Sequence, residues 1–396
     1  MRRAYKKARK KWEREYWNQV LEEAKEAQRK RDIGTMYQLL RKLGNMESKK
    51  APPSEIFTAE EFRDFFSKVS ETRNERTEEQ RNETIALIKD LRNNPKAKEA
   101  AEKLDRKVTI EEVIKEWKEM KDGAPGKDGV TIKMIRNCHS SVQKALAKKI
   151  VEMSETHPDR WQECLKEGIV IPLHKKGPRN ILGNYRGVCL LAMGSRILAS
   201  VWASRLREWC EELNLLSDTQ HGFRPGRSTG DAAQVMIRMN EEIGPGNETS
   251  GNMKVILLDI KKAYPRVNKG MLWEILKRYG IKENAMRNLK GLHEGTSFEV
   301  RGRDGNSTKW KPMRGLREGD ASSPVLFNVY HSTAMEIAGE RRKRSGHENP
   351  GIAWEWIPGN SLPPKDTTRA SGNSTTETIR VTEILFADDT QLAGHD

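Results

Sequence analysis

Cysteine is scarce. The four residues Cys138, Cys164, Cys189 and Cys210 are widely spaced and none forms a CxxC pair, which excludes a recognisable zinc site or disulfide framework and fits a reducing compartment. Long apolar runs are also missing. No stretch approaches the roughly 20 residues of a membrane span, and the N-terminus MRRAYKKARKKW lacks the apolar core of a secretory signal. No internal repeat is visible. Hydrophobic residues make up only 35% of the chain against 33% charged, so polar helices or mobile segments should accompany the core. Acidic charge is in deficit: 72 Lys and Arg oppose 57 Asp and Glu, a formal net charge of +15. That balance favours a polyanionic partner, nucleic acid ahead of a membrane surface. At 396 residues there is room for more than one domain.

The first third reads as helical. Trp12, Tyr16 and Val20 form a narrow apolar stripe on a charged helix over 1–33, Gly34 breaks it, and a shorter helix runs from Met36 to Leu43. Ala51-Pro52-Pro53 marks a linker. Thr58 and Glu61 form a capping box with a Phe57/Phe62 staple, and Phe62, Phe65 and Phe66 should face a core. Residues 71–103 are almost wholly polar and read as an exposed helix or connection. A second capping box, Thr109 with Glu112, opens a helix carrying Val113, Ile114, Trp117 and Met120. The expected division is a basic helical extension over 1–110 and a second domain over 111–396.

From Gly123 the texture changes. GAPGKDGV (123–130) is a turn cluster leading into a helix. Two β runs follow, Ile169 to Leu173, trailed by Lys175 and Lys176, and NYRGVCLL (184–191), introduced by Arg186. Strands with cations at one end form a hairpin able to hold a triphosphate, or else a basic surface hairpin. A helix from Gly194 to Leu213 buries Ile197, Leu198, Val201, Leu206 and Trp209. QHGFRPGRST (220–229) is a loop whose arginines suit phosphate contact. Val255 to Leu258 reads as a strand covered on both faces. Asp259 near its end is costly unless it binds a cation or pairs with a lysine or arginine. Asn268 then caps a helix that ends at Gly280. GLREGDASSPVLFNVYHSTAMEI (315–337) feeds a helix in which Pro324 suits the first turn, with Gly319 allowing close backbone approach to a ligand. Residues 341–378 read as a polar insertion pinned by Trp354 and Trp356. Last, ILFADDTQL (384–392) is a hairpin with Asp388 and Asp389 at its tip. Adjacent carboxylates repel, and Mg²⁺ would relieve that cost.

Taken in order, these blocks resemble the reverse transcriptases of non-LTR (LINE-type) retrotransposons. GAPGKDGV is similar to the family's APGPDG block, the fingers and GFR-x-GRST blocks are matched, and VILLDIKKAY, GLREGDASSPVLFNVY and FADD look like polymerase motifs A, B and C. The resemblance implies an α+β right-hand polymerase, with fingers and part of an antiparallel palm sheet flanked by helices. Asp259, Asp388 and Asp389 would be catalytic and would hold two Mg²⁺ ions, Mn²⁺ being able to substitute. Lys175, Lys176, Arg186, Tyr264, Glu318 and Gly319 would bind the nucleotide, with Tyr264 at the steric gate against a 2′-hydroxyl. No Ser/His triad is needed. The implied partners are an RNA template, a DNA primer and dNTPs, with no membrane, and the implied location is the nucleus at the site of integration. Three positions depart from the pattern: Lys127 replaces Pro, Pro265 stands where many members have Asp, and Glu318 replaces the common Gln. The chain stops at Asp396, so the thumb is expected to be absent. A nucleic-acid-binding remnant and a group II intron-type maturase are the alternatives.

Overall fold

The computed structural model describes residues 22, 23, 26, 29, 56–71, 77–243, 253–346, 352–356, 377–381, 383–387 and 389–395. The helices expected over 1–33 and 36–43 and the linker at 51–53 lie outside them, apart from the helical positions 22, 23, 26 and 29. Contacts divide the chain into Met1–Ile56 and Phe57–Asp396. Residues 57–110, grouped by sequence with the N-terminal extension, therefore share the core of the second unit.

The reason is a face of alanines. Helix α1 (Ala59–Val69) begins with the expected capping box, and α2 (Glu78–Ala86) is polar. Helix α3 (Pro95–Asp105), capped by Asn94, buries Ala97, Ala100, Ala101 and Leu104. That spacing is one helical stripe, and small side chains let α3 pack closely against the next layer. Helices α4 (Ile110–Glu119), α5 (Ile132–Asn137), α6 (Ser140–Glu155) and the short α7 (Glu163–Lys166) follow.

Strand β1 (Glu167–His174) pairs antiparallel with β2 (Tyr185–Leu191), setting Leu173 opposite Arg186. Strand β4 (Ser297–Val300) adds in parallel to the other side of β1. Helix α8 (Met193–Glu212) is the centre of the core and is buried nearly all round, with Trp202 and Trp209 inside and the small Ser195, Ala199 and Ala203 fully buried beside them. Each large side chain buried here contributes on the order of 1.5–3 kcal/mol before entropy is counted. Around it lie α9 (Thr229–Ile243), α10 (Ala263–Arg266), α11 (Lys269–Arg278), α12 (Glu283–His293) and the long α13 (Ser323–Arg344). Asn268 caps α11 as expected, its side chain accepting from the Met271 N–H at 3.0 Å.

A second sheet orders β3 (Met253–Asp259), β8 (Asp389–His395) and β7 (Glu383–Phe386), all antiparallel. Here one expectation fails. Among the described residues strand β3 lies at the edge of its sheet, and Ile256, Leu257 and Leu258 are exposed, Leu257 by 71%. An apolar run reads alike whether its strand is central or at an edge, so the sequence could not tell the two apart. Within the supposed insertion, β5 (Ile352–Trp356) pairs with β6 (Glu377–Val381) as a two-stranded ribbon. Among the described residues no helix is long and apolar enough to cross a membrane. The whole is a mixed assembly of small sheets and many helices.

Candidate nucleotide and metal site

The antiparallel register of β3 with β8 makes Asp259 and Asp389 partner positions, although they lie far apart in sequence. Partner Cα atoms in such pairs stand about 4.5–5.5 Å apart. Like charges at these positions are destabilising unless something neutralises them. Asp259 is exposed and makes no ion pair among the described residues, so the rival reading of a structural salt bridge finds no partner there. Asp388 lies outside the described residues. Among the described residues no three His, Cys, Asp or Glu side chains form a metal-binding group. Aspartate is a hard oxygen donor of the kind Mg²⁺ prefers, and the pairing sets two aspartate positions opposite one another. Asp259 also borders a cleft of about 440 Å³ with Thr229, Met236, Phe386 and Thr390.

A separate cleft of about 360 Å³ brings together Arg186, Tyr264, Glu318 and Gly319, four of the nucleotide residues read from sequence. Lys175 and Lys176 lie exposed just past β1 and border neither cleft. Arg186 donates through Nε to the Glu318 carboxylate at 2.9 Å. Tyr264, on α10, stacks on Phe327 of α13 with ring centroids 5.1 Å apart. Gly319 is required by both backbone and space: its φ is +106°, and a Cβ would sit 2.7 Å from the Cys189 carbonyl oxygen of β2. The loop is pinned there because the Cys189 N–H donates to the Glu318 carbonyl at 2.9 Å. On its other side the Leu316 N–H donates to the Tyr264 carbonyl, also at 2.9 Å.

Several residues that sequence reasoning passed over hold this geometry. Lys262 reaches back to the Tyr185 carbonyl at 2.9 Å. Burial holds its ammonium below the usual lysine range, Glu318 opposes that, and Lys175, Lys261 and Arg186 add to it. Beneath the loop, Arg317 and Asp320 form a buried ion pair. Asp320 also accepts from the Ser322 N–H at 2.8 Å, just ahead of α13. Burial alone would raise the Asp320 carboxyl, but the Arg317 charge, His293 and the Ser322 hydrogen bonds bring it below the ordinary carboxylate range. His293 meets the Ser322 hydroxyl at 3.0 Å, and burial lowers its pKa to about 3. It is neutral at physiological pH.

The loop between α8 and α9 braces the β7–β8 turn. One buried amide oxygen, Gln220 Oε1, accepts from the Gly222 N–H at 2.8 Å and the Ala387 N–H at 3.0 Å. The His221 N–H donates to the Leu385 carbonyl at 2.8 Å. The only cue in the sequence was the Gly/Pro density of this loop, which marks a turn and not its partner.

Residues 173–395 match the family described as reverse transcriptase (RNA-dependent DNA polymerase). The match covers more than half of the chain, which therefore belongs to that family. Among curated relatives, the probable RNA-directed DNA polymerase from transposon BS of Drosophila melanogaster is 25% identical over 229 residues, 56% of this chain and 24% of that protein. The Pol polyprotein from type-1 retrotransposable element R2 of Popillia japonica is 28% identical over 231 residues, 57% of this chain and 30% of that one. The probable RNA-directed DNA polymerase from transposon X-element of Drosophila melanogaster is 28% identical over 178 residues, 44% and 18% of the two chains. The matches thus span less than a third of each of these relatives. The resemblance to non-LTR retrotransposon reverse transcriptases drawn from the motif order holds.

Proposed function

We propose that this chain is the fingers and part of the palm of an RNA-directed DNA polymerase that transfers deoxynucleotides from dNTPs to a primer 3′-hydroxyl. The observation that carries the reading is the register of Asp259 with Asp389, on the same unit as a cleft gathering Arg186, Tyr264, Glu318 and Gly319. Asp259, Asp388 and Asp389 would hold the magnesium ions. When bound, these supply charge neutralisation at the attacking and leaving oxygens of an in-line displacement. Arg186, with Lys175 and Lys176 nearby in the chain, neutralises the triphosphate. Tyr264, backed by Phe327, cannot retreat easily and so excludes a 2′-hydroxyl. Glu318 and Gly319 border the incoming base, the glycine by offering backbone where a side chain would collide with β2.

The test is primer extension on an RNA template with Mg²⁺ or Mn²⁺, by wild type, Asp259→Asn and Asp389→Asn. Each substitution should lower dNTP incorporation by at least about 100-fold while primer–template affinity stays within a few-fold. Retention of most activity in either variant refutes the assignment.

A further inference from the structure

Phe223 is held in a conformation that local preference does not explain. Its φ is +57°, in the left-handed region that non-glycine residues seldom occupy. It is nonetheless 50% exposed, whereas its neighbours His221 and Arg224 are buried. The flanking backbone is fixed from three directions. Arg224 forms a two-pronged contact with Glu211 of α8, at 2.8 and 2.6 Å. The Gly222 carbonyl accepts from Asn328 Nδ2 of α13 at 2.7 Å. Gly222 itself presses on the β7–β8 turn so tightly that a Cβ would come 2.3 Å from the Ala387 nitrogen. Strain persists where the surroundings over-determine it, and it collects at ligand clamps. What this clamp presents is an aromatic ring at the rim of the 360 Å³ cleft that also holds Tyr264 and Gly319.

We infer that Phe223 is a stacking platform for a base of the templating strand, an inference that rests on the polymerase reading above. An exposed flat apolar ring beside a cation-bearing cleft suits a nucleobase, because every base has a π-face. The triphosphate-binding cation Arg186 enters the cleft from β2. Phe223 enters from the α8–α9 loop, and Arg196 of α8 lines the same cleft and offers a cation to a strand backbone. The ring therefore serves the strand and not the incoming nucleotide.

The experiment measures the affinity of the 396-residue chain for three RNA–DNA duplexes: one with an unpaired template overhang, one blunt, and one whose first unpaired template position is abasic. Phe223→Ala should weaken binding to the overhang duplex by about 5- to 150-fold, with Phe223→Trp restoring it and blunt binding unchanged. Removing the base should cost wild type a similar factor and cost Phe223→Ala nothing. Phe223→Gly adds a readout that a structural role would move the other way. Glycine accepts positive φ freely, so this variant should melt at or above the wild-type temperature while binding as poorly as Phe223→Ala. Melting well below wild type, equal loss on the blunt duplex, or an abasic penalty unchanged in Phe223→Ala each overturns the stacking site. Wild type that binds no duplex overturns the polymerase reading and the stacking site with it. Wild type that binds, with Phe223→Ala indistinguishable from it, overturns the stacking site alone.

Discussion

Glu318 creates a competition inside the nucleotide cleft. Its carboxylate accepts Arg186 Nε at 2.9 Å, and the guanidinium so engaged is the one proposed to meet the triphosphate. Arg186 is 49% exposed and Glu318 16%, so water screens the pair. An ion pair of this kind contributes about 0.5–1 kcal/mol. At that strength Arg186 is free in about one molecule in three to one in six, and triphosphate affinity is reduced by about 3- to 6-fold. Glu318→Gln removes the charge with little change of shape and should recover that factor. The assay is equilibrium titration of a fluorescent dNTP against wild type, Glu318→Gln, Arg186→Ala and the double variant. The gain should vanish in the Arg186→Ala background, because no latch remains to release. It should also shrink in 1 M salt, where the screening length falls to about 3 Å. If Glu318→Gln binds more weakly, the carboxylate aims Arg186 at the ligand and the latch argument is wrong. An equal gain without Arg186 would be just as damaging.

Two further outcomes concern the scaffold. Arg205 is buried on α8 and makes a two-pronged contact with Glu112, at 3.0 and 2.7 Å, so Arg205→Ala should cost about 3 kcal/mol of unfolding free energy in denaturant melts at pH 7. Burial alone would raise the Glu112 carboxyl, but the Arg205 hydrogen bonds, the Thr109 N–H and the Arg205 and Arg106 charges together hold it below the ordinary glutamate value. The pair's stabilisation is therefore present above that value and lost as pH falls through the lowered one, so the gap between variant and wild type should narrow in acid; a gap independent of pH refutes this. Gln220→Ala strands two buried N–H groups, those of Gly222 and Ala387, and should cost about 2–4 kcal/mol in the same melts. A loss below about 0.5 kcal/mol would mean that the turn finds other acceptors.

Periodicity and caps made many of the elements legible in advance. The β1–β2 hairpin, the buried face of α8 and the Asn268 cap of α11 follow from local pattern, because each is set by residues a few positions apart. The burial of helix α3, read from sequence as an exposed helix or connection, was missed for a local reason too: its inward face is alanine, which carries little hydrophobic signal in a segment otherwise full of charge. Lys127, a departure from the resembled family, pairs with Glu167 at 2.7 Å. A spacing argument could not have supplied that partner. The site was legible in its reactive residues and not in its supports. Asp320 and Arg317 look like ordinary loop charges in LREGDASSP. Only the fold shows them buried together under Gly319.

Register is the deeper case. Nothing within ten residues of Asp259 specifies that Asp389 stands opposite, since that depends on how β3 and β8 pair, and a slip of one position would turn every side chain to the other face. What fixes the end of the hairpin lies elsewhere, in the α8–α9 loop. Phe223 and Ala387 both adopt positive φ, at +57° and +58°, without being glycine. Between them Gly222 packs against the Ala387 nitrogen, and Gln220 takes a hydrogen bond from the backbone on each side. Costly conformations of this kind persist where the surroundings over-determine them, and here Gly222 and Gln220 tie the two segments together. Local propensity assigns neither residue to the left-handed region. Such a feature belongs to the tertiary fit, and it lies beside the one pairing on which the proposed chemistry depends.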